Sequence, residues 1–427
     1  MSEKSSDAKV LAMIDEKKIL DMEQACIRIP SSAFKEHEIA DYLANVMVDI
    51  GLEVEMMDVG HPIDPEIKSR QPIGKLKGSG DGPTLMLNGH MDPGVEMSGW
   101  SVDPYGAKYE DGWIWGMGAH DDKGGLVAMI HAVDAIIRSG THLKGDILVC
   151  PVVAHKLGGA GTRALLGKGL HADMCINMEH SANTIANVLV GIVMIRVRTH
   201  SPDLFFRYSD EARANYFNPI EQQCEIIRRV GPSLDQIPAA PKGWLTYEPH
   251  SELPGFPTHT FDTIHKEHYY HPNLSGMSSR ECELVFQVRT VPGQTIDSIE
   301  ADFVRLLEGI KQEHPAFSYE LTVPAGQHVK NWQQDPVDLP RDHPLVEAVA
   351  AGQKIASGKE AFIGARGRIG NVGDGNILQA AGIPSVQYGP GDIRIYKEWP
   401  TPDERVLLSD LVIASKAVAI AAARLCG

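Results

Sequence analysis

Side chains that can bind a divalent cation follow three separate runs of the sequence. His90 and Asp92 close LMLNGHMD, Asp121 stands in GMGAHDDKGG, and Glu179 closes CINMEH. Three imidazole or carboxylate ligands are typical of a catalytic metal site, and a nearby carboxylate can fix the tautomer of a histidine ligand. Each residue alone has a simpler interpretation, as a structural histidine or a helix-capping aspartate. Together they predict a metal site of His90, Asp121 and Glu179, with Asp92 as the partner of His90.

The stretch VVAHKLGGAGTRAL, residues 152–165, adds an imidazole and an ammonium group at a glycine-rich turn. His155 could act as a general base towards a water molecule. Lys156, unless strongly desolvated, cannot bind a dication and instead supplies a fixed positive charge. We therefore expect both residues to be catalytic and a single metal ion to lie beside them. The alternative is that His155 is a remnant in an inactive protein.

Strands and helices alternate around these residues. PTLMLNGHMD, GDILVCPVVAH and ADMCINMEH have the composition of buried strands, whereas DDKGGLVAMIHAVDAIIRSG has helical spacing and ends at Gly140. Such alternation predicts the α/β class, with a mostly parallel sheet covered on both faces. Because parallel strands place their carboxyl ends at one edge, the candidate residues should meet there.

The pattern changes near residue 190, where half-exposed strands such as GIVMIRVRTH and helices such as SIEADFVRLLEGIKQEH indicate an α+β module on an antiparallel sheet. After residue 325 the α/β pattern returns. We therefore predict a catalytic domain in two parts, residues 1–189 and 325–427, interrupted by an inserted domain, residues 190–324.

Composition limits the classes of partner. The chain has 427 residues and a formal charge of -16, which argues against nucleic acid or an anionic membrane surface as a partner and favours a small-molecule substrate. Six scattered cysteines favour reduced thiols. The first residues lack the apolar core of a signal peptide, so a cytoplasmic location is expected.

Several motifs together resemble one family. In order and spacing the chain is similar to the metallopeptidase family of acetylornithine deacetylase, succinyl-diaminopimelate desuccinylase and aminoacylase, over nearly its whole length. The motifs are NGHMDPG, GWIWGMGAHDDKGGLVAMI, GGAGTRALL, the glutamate of NMEH, VRTVPGQ, GNVGDGN and AAGIPSVQYGPGD. The resemblance implies a metallopeptidase-like catalytic domain that binds two metals, and an inserted ferredoxin-like domain that forms a homodimer or higher homo-oligomer.

The resemblance makes His90, Asp121 and Glu179 ligands of one metal, with Asp121 bridging to a second. Two positions depart from the family. His155 and Lys156 stand where the family has two glutamates, a general base and a ligand of the second metal. From this we expect one divalent ion per subunit, with Mn²⁺ favoured by the carboxylate-rich set and Zn²⁺ possible.

The late histidine of the family, also a ligand of the second metal, is missing. Counting places Lys397 or Pro400 at its position, with Glu398 between them as a residue that could still reach a metal. We expect Lys397 and Glu398 to bind the substrate. Arg289 falls where the family has an arginine that pairs with the substrate carboxylate, although a surface salt bridge explains it equally well. Asp374 matches an aspartate that supports the active-site turn.

The altered site narrows the reaction. With one metal and no glutamate base, hydrolysis of an unactivated peptide is disfavoured, whereas an electron-poor carbon needs less assistance. Within the family the chain resembles the aminohydrolases of nitroaromatic compounds, which implies conversion of 5-nitroanthranilate to 5-nitrosalicylate and ammonia. Two alternatives stay open: an amidohydrolase of N-acyl or N-carbamoyl amino acids, and a binding scaffold without catalysis.

Overall fold

The computed structural model describes residues 3–201, 210, 215–233, 243–266, 280–325, 333–365, 372–396 and 401–427. The described chain forms two compact units. The first contains residues 3–189 together with the described residues after 336, and the second contains the described residues of 190–336. Each unit has its own hydrophobic core.

The first unit is built on a mixed six-stranded sheet in the order β1-β2-β6-β3-β7-β15. The strands are β1 (Glu53–Gly60), β2 (Lys68–Leu76), β3 (Leu85–His90), β6 (Ile147–Val152), β7 (Met174–Asn177) and β15 (Ser385–Gln387). From β6 to β15 all pairs are parallel, whereas β1 and β2 are antiparallel additions at one edge. The predicted α/β class with a mostly parallel sheet is confirmed.

Within the part of the chain that the structure describes, seven longer helices belong to this unit. They are α1 (Glu3–Leu11), α2 (Glu16–Ile27), α3 (His37–Asp49), α4 (Lys123–Ser139), α5 (Ala160–Gly167), α8 (Pro344–Ser357) and α10 (Leu408–Cys426), and the short α9 (Asp374–Ala380) joins them. Helix α4 is buried along most of its length and ends at Gly140, whose φ of 67° suits a residue without a side chain.

Short strands complete the first unit. Strands β4 (Lys108–Glu110), β5 (Trp113–Trp115) and β16 (Arg405–Leu407) form one small sheet, and β8 (Val188–Leu189) pairs with β14 (Val337–Asp338). The small three-stranded sheet joins the segment before α4 to the segment before α10, which lie almost three hundred residues apart in the sequence.

In its described residues, the second unit is an antiparallel sheet with two helices. Its strands β9 (Gly191–His200), β10 (Thr258–Lys266), β11 (Glu281–Thr290) and β12 (Tyr319–Thr322) lie in the order β10-β11-β9-β12, and β13 (Gln333–Gln334) pairs with β9. Helices α6 (Pro219–Val230) and α7 (Ile296–Glu313) follow β9 and β11. The order of the four longer strands in the sheet, and the succession of strands and helices along the chain, are those of the ferredoxin-like arrangement.

Among the described residues, no helix has the length and apolar composition needed to cross a bilayer.

Candidate active site

His90 is the last residue of β3 and is fully buried. Its Nδ1 lies 2.8 Å from the backbone oxygen of Asp92, which can only accept a hydrogen bond. Nδ1 therefore carries the proton, and Nε2 is left with a lone pair. The carboxylate of Asp92, expected to fix this tautomer, is 3.7 Å from Nδ1 at Oδ1 and has other partners. The backbone, rather than the side chain, fixes the tautomer of His90.

Asp121 lies in the turn between β5 and α4, and its peptide bond to Asp122 is cis. Its Oδ1 is 3.0 Å from Nε2 of His90. The ammonium of Lys156 donates to both carboxylate oxygens of Asp121, at 2.9 and 2.8 Å. Burial alone would raise the pKa of Asp121, but Lys156 and the neighbouring His90 and His180 together outweigh it and hold the pKa well below its usual value. Asp121 is therefore an anion with a lysine cation bound to it.

Glu179 follows β7 and brings a second buried carboxylate to the same edge of the sheet. Its Oε1 lies 3.8 Å from Nε2 of His90 and 3.7 Å from Nε2 of His155. The next residue, His180, places Nδ1 3.6 Å from Oε2 of Glu179 and 3.8 Å from Oδ1 of Asp121. His180 was not predicted as a site residue, although its place directly after Glu179 in NMEH was a signal that could have identified it.

His155 opens a short 3-10 helix, His155–Leu157, after β6. Its ring is stacked on that of His90, with centroids 4.3 Å apart and an interplanar angle of 9°. Nδ1 of His155 lies 3.2 Å from Oδ1 of the buried Asp374, so Nε2 is directed to the other side of the ring. Burial would lower the pKa of His155, but the carboxylates of Asp374 and Glu179 outweigh it and raise the pKa to about 9. A proton is therefore held at this imidazole when no dication is nearby.

The turn that carries His155 and Lys156 is fixed by buried side chains from elsewhere in the first unit. Four consecutive backbone N–H groups, those of residues 153–156, donate to side-chain oxygens. Gln71 accepts the first at 3.1 Å and Glu36 the second at 2.9 Å, and the two oxygens of Asp92 accept the third and fourth, each at 2.9 Å. No spacing in the sequence links these residues, since Gln71 lies in β2 at the antiparallel edge of the sheet and Glu36 is the N-cap residue of α3.

Glycines allow this turn to approach Asp374. Gly158 and Gly159 have φ of 80° and 69°, in the left-handed region that favours glycine. A Cβ atom on Gly159 would lie 2.6 Å from Oδ1 of Asp374 and 2.3 Å from a methyl carbon of Ile377. The glycine pair in HKLGG therefore lets the chain pass close enough for His155 to reach Asp374.

Two overlapping groups of atoms could hold a metal ion. His90, His155 and Glu179 form one, and Asp121, Glu179 and His180 form the other, with one ligand atom from each residue within 4.8 Å of the others. Nε2 of His90 and Oε1 of Glu179 are buried and make no hydrogen bond within the part of the chain that the structure describes. Buried polar atoms are normally satisfied, so a cation fits between these two.

Lys156 bears on how many cations fit. Burial would lower the pKa of its ammonium, but Asp121 and Glu179 outweigh that effect and raise the pKa above its usual value. The side chain is therefore permanently charged. The lysine ammonium is hydrogen-bonded to the carboxylate of Asp121. The family resemblance implies that this same carboxylate bridges two metal ions.

The remaining predicted site residues belong to the second unit or fall outside the described chain. Arg289 is on β11 of the second unit, and burial lowers the pKa of its guanidinium to about 10. Lys397 and Glu398 fall outside the described residues. The structure thus assembles His90, Asp92, Asp121, His155, Lys156, Glu179 and Asp374 in the first unit. The metal-binding role of His90, Asp121 and Glu179, the catalytic role of Asp92, His155 and Lys156, and the substrate-binding role of Arg289, Lys397 and Glu398 stay predictions.

Known proteins resemble the chain over most of its length. The model of the peptidase family M20/M25/M40 matches residues 86–424. The N-formyl-4-amino-5-aminomethyl-2-methylpyrimidine deformylase of Bacillus subtilis (strain 168) is 28% identical over 399 residues, which cover 89% of this chain and 87% of the relative. The succinyl-diaminopimelate desuccinylase of Methylorubrum extorquens (strain PA1) is 26% identical over 411 residues, covering 92% and 94%.

A solved structure shares the fold at lower identity. The YXEP protein of Bacillus subtilis, described as a dinuclear metal binding peptidase from the M20 family, superimposes with a TM-score of 0.67 at 15% identity. The match covers 96% of this chain and 98% of that protein.

Proposed function

Because this chain belongs to the peptidase family M20/M25/M40 and is a metal-dependent hydrolase, we propose that it cleaves a C–N bond of a small carboxylate substrate with one divalent ion per subunit. We propose further that the substrate is an electron-poor aromatic amine. The observation that carries the proposal is the contact of Lys156 Nζ with both carboxylate oxygens of Asp121.

That contact opposes a second metal ion. The ammonium and one bound ion would together already exceed the single negative charge of Asp121. A second dication on the same carboxylate would then lie a few ångströms from two positive charges, that of the lysine and that of the first ion. At such a separation, like charges repel by roughly several kcal/mol even at an effective dielectric constant near 20. The relative described as dinuclear is thus the contrasting case, and this chain has the charge of one ion replaced by a lysine.

The single ion would be held by His90 and Glu179, with Asp121 completing the set. Two carboxylates and one imidazole form a hard, oxygen-rich site that favours Mn²⁺ over softer ions, although Zn²⁺ also accepts such ligands. When bound, such an ion would lower the pKa of a water molecule and would place positive charge beside the reacting carbon. A proton carrier beside these ligands is His155, whose Nε2 lies 3.7 Å from Oε1 of Glu179.

His155 moves the protons of the reaction. The position of Asp374 beside Nδ1 leaves Nε2 to take a proton from the attacking water and return it to the departing nitrogen. A neighbouring dication disfavours a second positive charge, so metal binding lowers the pKa of His155 from its raised value into the range where both steps are possible. Lys156 provides positive charge for the anion that develops on the substrate.

A site with one metal ion and no glutamate base favours an activated substrate over a peptide. A peptide carbonyl is poorly electrophilic and its nitrogen leaves badly, so two metals and a glutamate base are of most use there. A nitro group para to an aromatic amine withdraws electrons and itself carries the charge after water adds to the ring. One metal ion and one histidine are then sufficient. The reaction proposed is 5-nitroanthranilate plus water to 5-nitrosalicylate plus ammonia.

A second candidate is hydrolysis of a small N-acyl compound, and the deformylase relative favours it. A formyl carbon is unhindered and more electrophilic than a peptide carbonyl, so it too demands less of the site. The same residues would act in both reactions. The products differ, since deamination releases ammonia and deacylation releases a carboxylic acid.

The test combines metal content with product release. Metal per chain is measured by plasma emission spectroscopy on protein purified without added metal, and ammonia release from 5-nitroanthranilate is assayed alongside acid release from N-formyl and N-acetyl amino acids. We expect one ion and ammonia, with His155→Gln losing at least about 100-fold in rate, as general acid–base catalysis commonly contributes. Acid release without ammonia would instead establish the second candidate. Two ions per chain would contradict the interpretation of Lys156, and no release from any substrate would support a binding scaffold.

A further inference from the structure

We propose that Glu404 is a positioning residue that directs Asp121 towards the metal by holding the backbone of the turn before it. The inference rests on the proposed function only in taking Asp121 as a metal ligand. Glu404 was not selected from the sequence, and it lies 283 positions after Asp121. It is buried, with 3% of its surface exposed.

The carboxylate of Glu404 accepts three backbone N–H groups of one turn. Oε1 accepts those of His120 at 2.8 Å and Asp121 at 2.9 Å, and Oε2 accepts that of Gly118 at 3.0 Å. All three donors lie within four residues that end at the metal-ligand candidate. A single side chain therefore fixes the peptide planes that determine where the Cα–Cβ bond of Asp121 points.

Glu404 is itself held in place from both sides. Its own carbonyl oxygen accepts the N–H of Gly116 at 2.9 Å, and the next residue begins β16, which pairs with β5. The guanidinium of Arg405 lies over the ring of Trp115, 4.3 Å from its centroid. Strand pairing and this cation–π contact give the carboxylate a rigid support on the segment that it organises.

Two glycines leave the shape of this turn to its hydrogen bonds. Gly116 and Gly118 have φ of 154° and 82°, so the chain bends where glycines impose little conformational preference. A carboxylate can accept all three N–H groups with its two oxygens, whereas an amide has one acceptor oxygen and a donor NH₂ group. In Glu404→Gln at least one backbone N–H of the turn faces a donor, whichever way the amide is oriented.

Metal affinity measures this role without reference to any substrate. Loss of a residue that orients a metal ligand commonly weakens metal binding by about 10- to 100-fold. We expect the Kd of metal-free protein for Mn²⁺, measured by competition with a fluorescent indicator, to rise at least about 10-fold in Glu404→Gln. At saturating Mn²⁺, kcat should recover most of its value and KM should change by less than about twofold, because the carboxylate of Glu404 acts on the backbone that carries the metal ligand.

Asp302→Asn is the matched control. Asp302 is equally buried, and its carboxylate accepts the backbone N–H of Thr246 at 2.6 Å and a hydrogen bond from Arg305, both within the second unit. A merely structural loss should lower thermal stability in both variants and weaken Mn²⁺ binding in neither. If Glu404→Gln binds Mn²⁺ as tightly as the unaltered protein, the positioning role is wrong.

Hydrogen exchange covers the case in which Glu404→Gln does not fold. In the unaltered metal-free protein, the amides of Gly118, His120 and Asp121 should be protected, because Glu404 holds them without help from the ion. Rapid exchange of these amides would overturn the proposal. Failure of the unaltered protein to bind any divalent ion would instead count against the proposed function, so the two ideas fail on different measurements.

Discussion

The contact between Lys156 and Asp121 predicts how the metal content would change on substitution. In Lys156→Glu, a carboxylate replaces the ammonium beside Asp121, where Nδ1 of His180 already lies 3.8 Å from Oδ1 of Asp121. The variant would thus gain a ligand and lose a repelling charge. We expect metal content, measured by plasma emission after equilibration with Mn²⁺ and desalting, to rise from one to two ions per chain.

Lys156→Met is the control for this substitution, because it removes the charge and keeps a long side chain without adding an oxygen ligand. Its content should stay at one ion. A content of one ion in Lys156→Glu would show that the ammonium is not what limits the site, and two ions in the unaltered protein would contradict the one-metal proposal.

Residues at strand ends were the part of the site that the sequence could predict. His90, Asp121, His155 and Glu179 each adjoin a strand or helix of the alternating pattern, so their convergence followed from the parallel sheet. Glu404 could not be found this way. It reaches the turn through pairing of two three-residue strands, and such short strands have no periodicity to recognise.

Helix α4 carries a buried histidine that links it to the start of α2. Nε2 of His131 accepts the backbone N–H of Asp15 at 3.0 Å, at the N-cap of α2. Burial lowers the pKa of His131 from 6.5 to about 4. The imidazole is therefore neutral in the folded protein, and protonation would replace the acceptor with a donor.

The sign of the pH effect follows from that lowered pKa. Above pH 6.5 both the folded and the unfolded protein hold His131 neutral, and its contribution to stability is complete. As the pH falls towards 4, the unfolded chain binds a proton that the folded protein excludes, so stability is lost. Between pH 7.5 and 5 the loss from this group is about 2 kcal/mol.

Substitution of His131 isolates this contribution from other titrating groups. The free energy of unfolding by urea is measured at pH 7.5 and pH 5. His131→Gln should lose about 2 kcal/mol less than the unaltered protein over this interval. The exposed His171 is the control, and His171→Gln should retain the original pH dependence. Equal losses in the unaltered protein and His131→Gln would show that His131 titrates normally.

Long elements of the fold were predictable, and the edge of the sheet was not. Helix α4 begins and ends within two residues of its predicted limits because an apolar helical pattern stops at a glycine. The antiparallel pair β1 and β2 was not predicted. Strand β1 exposes most of its residues and lacks a regular alternation of buried and exposed positions, so only its pairing with β2 identifies it as a strand.

The two units have separate hydrophobic cores, and the metal-ligand candidates named above all belong to the first unit. His90, Asp121, His155 and Glu179 all belong to the first unit, whereas the core of the second is formed by residues such as Phe286. A ligand stabilises the part of a protein whose folded form it binds. At 100 times its Kd, that stabilisation is about 2.7 kcal/mol.

We therefore expect Mn²⁺ to stabilise the two units unequally. Pulsed hydrogen exchange with mass spectrometry at increasing temperature can follow peptides from α4 in the first unit and α7 in the second. Saturating Mn²⁺ should raise the unfolding midpoint for α4, chelation should reverse the increase, and the midpoint for α7 should not move. Glu179→Gln should abolish the increase because it removes a carboxylate ligand. Equal shifts at α4 and α7 would mean that the two units unfold as one cooperative body, and no shift at either would mean that the first unit does not bind the ion.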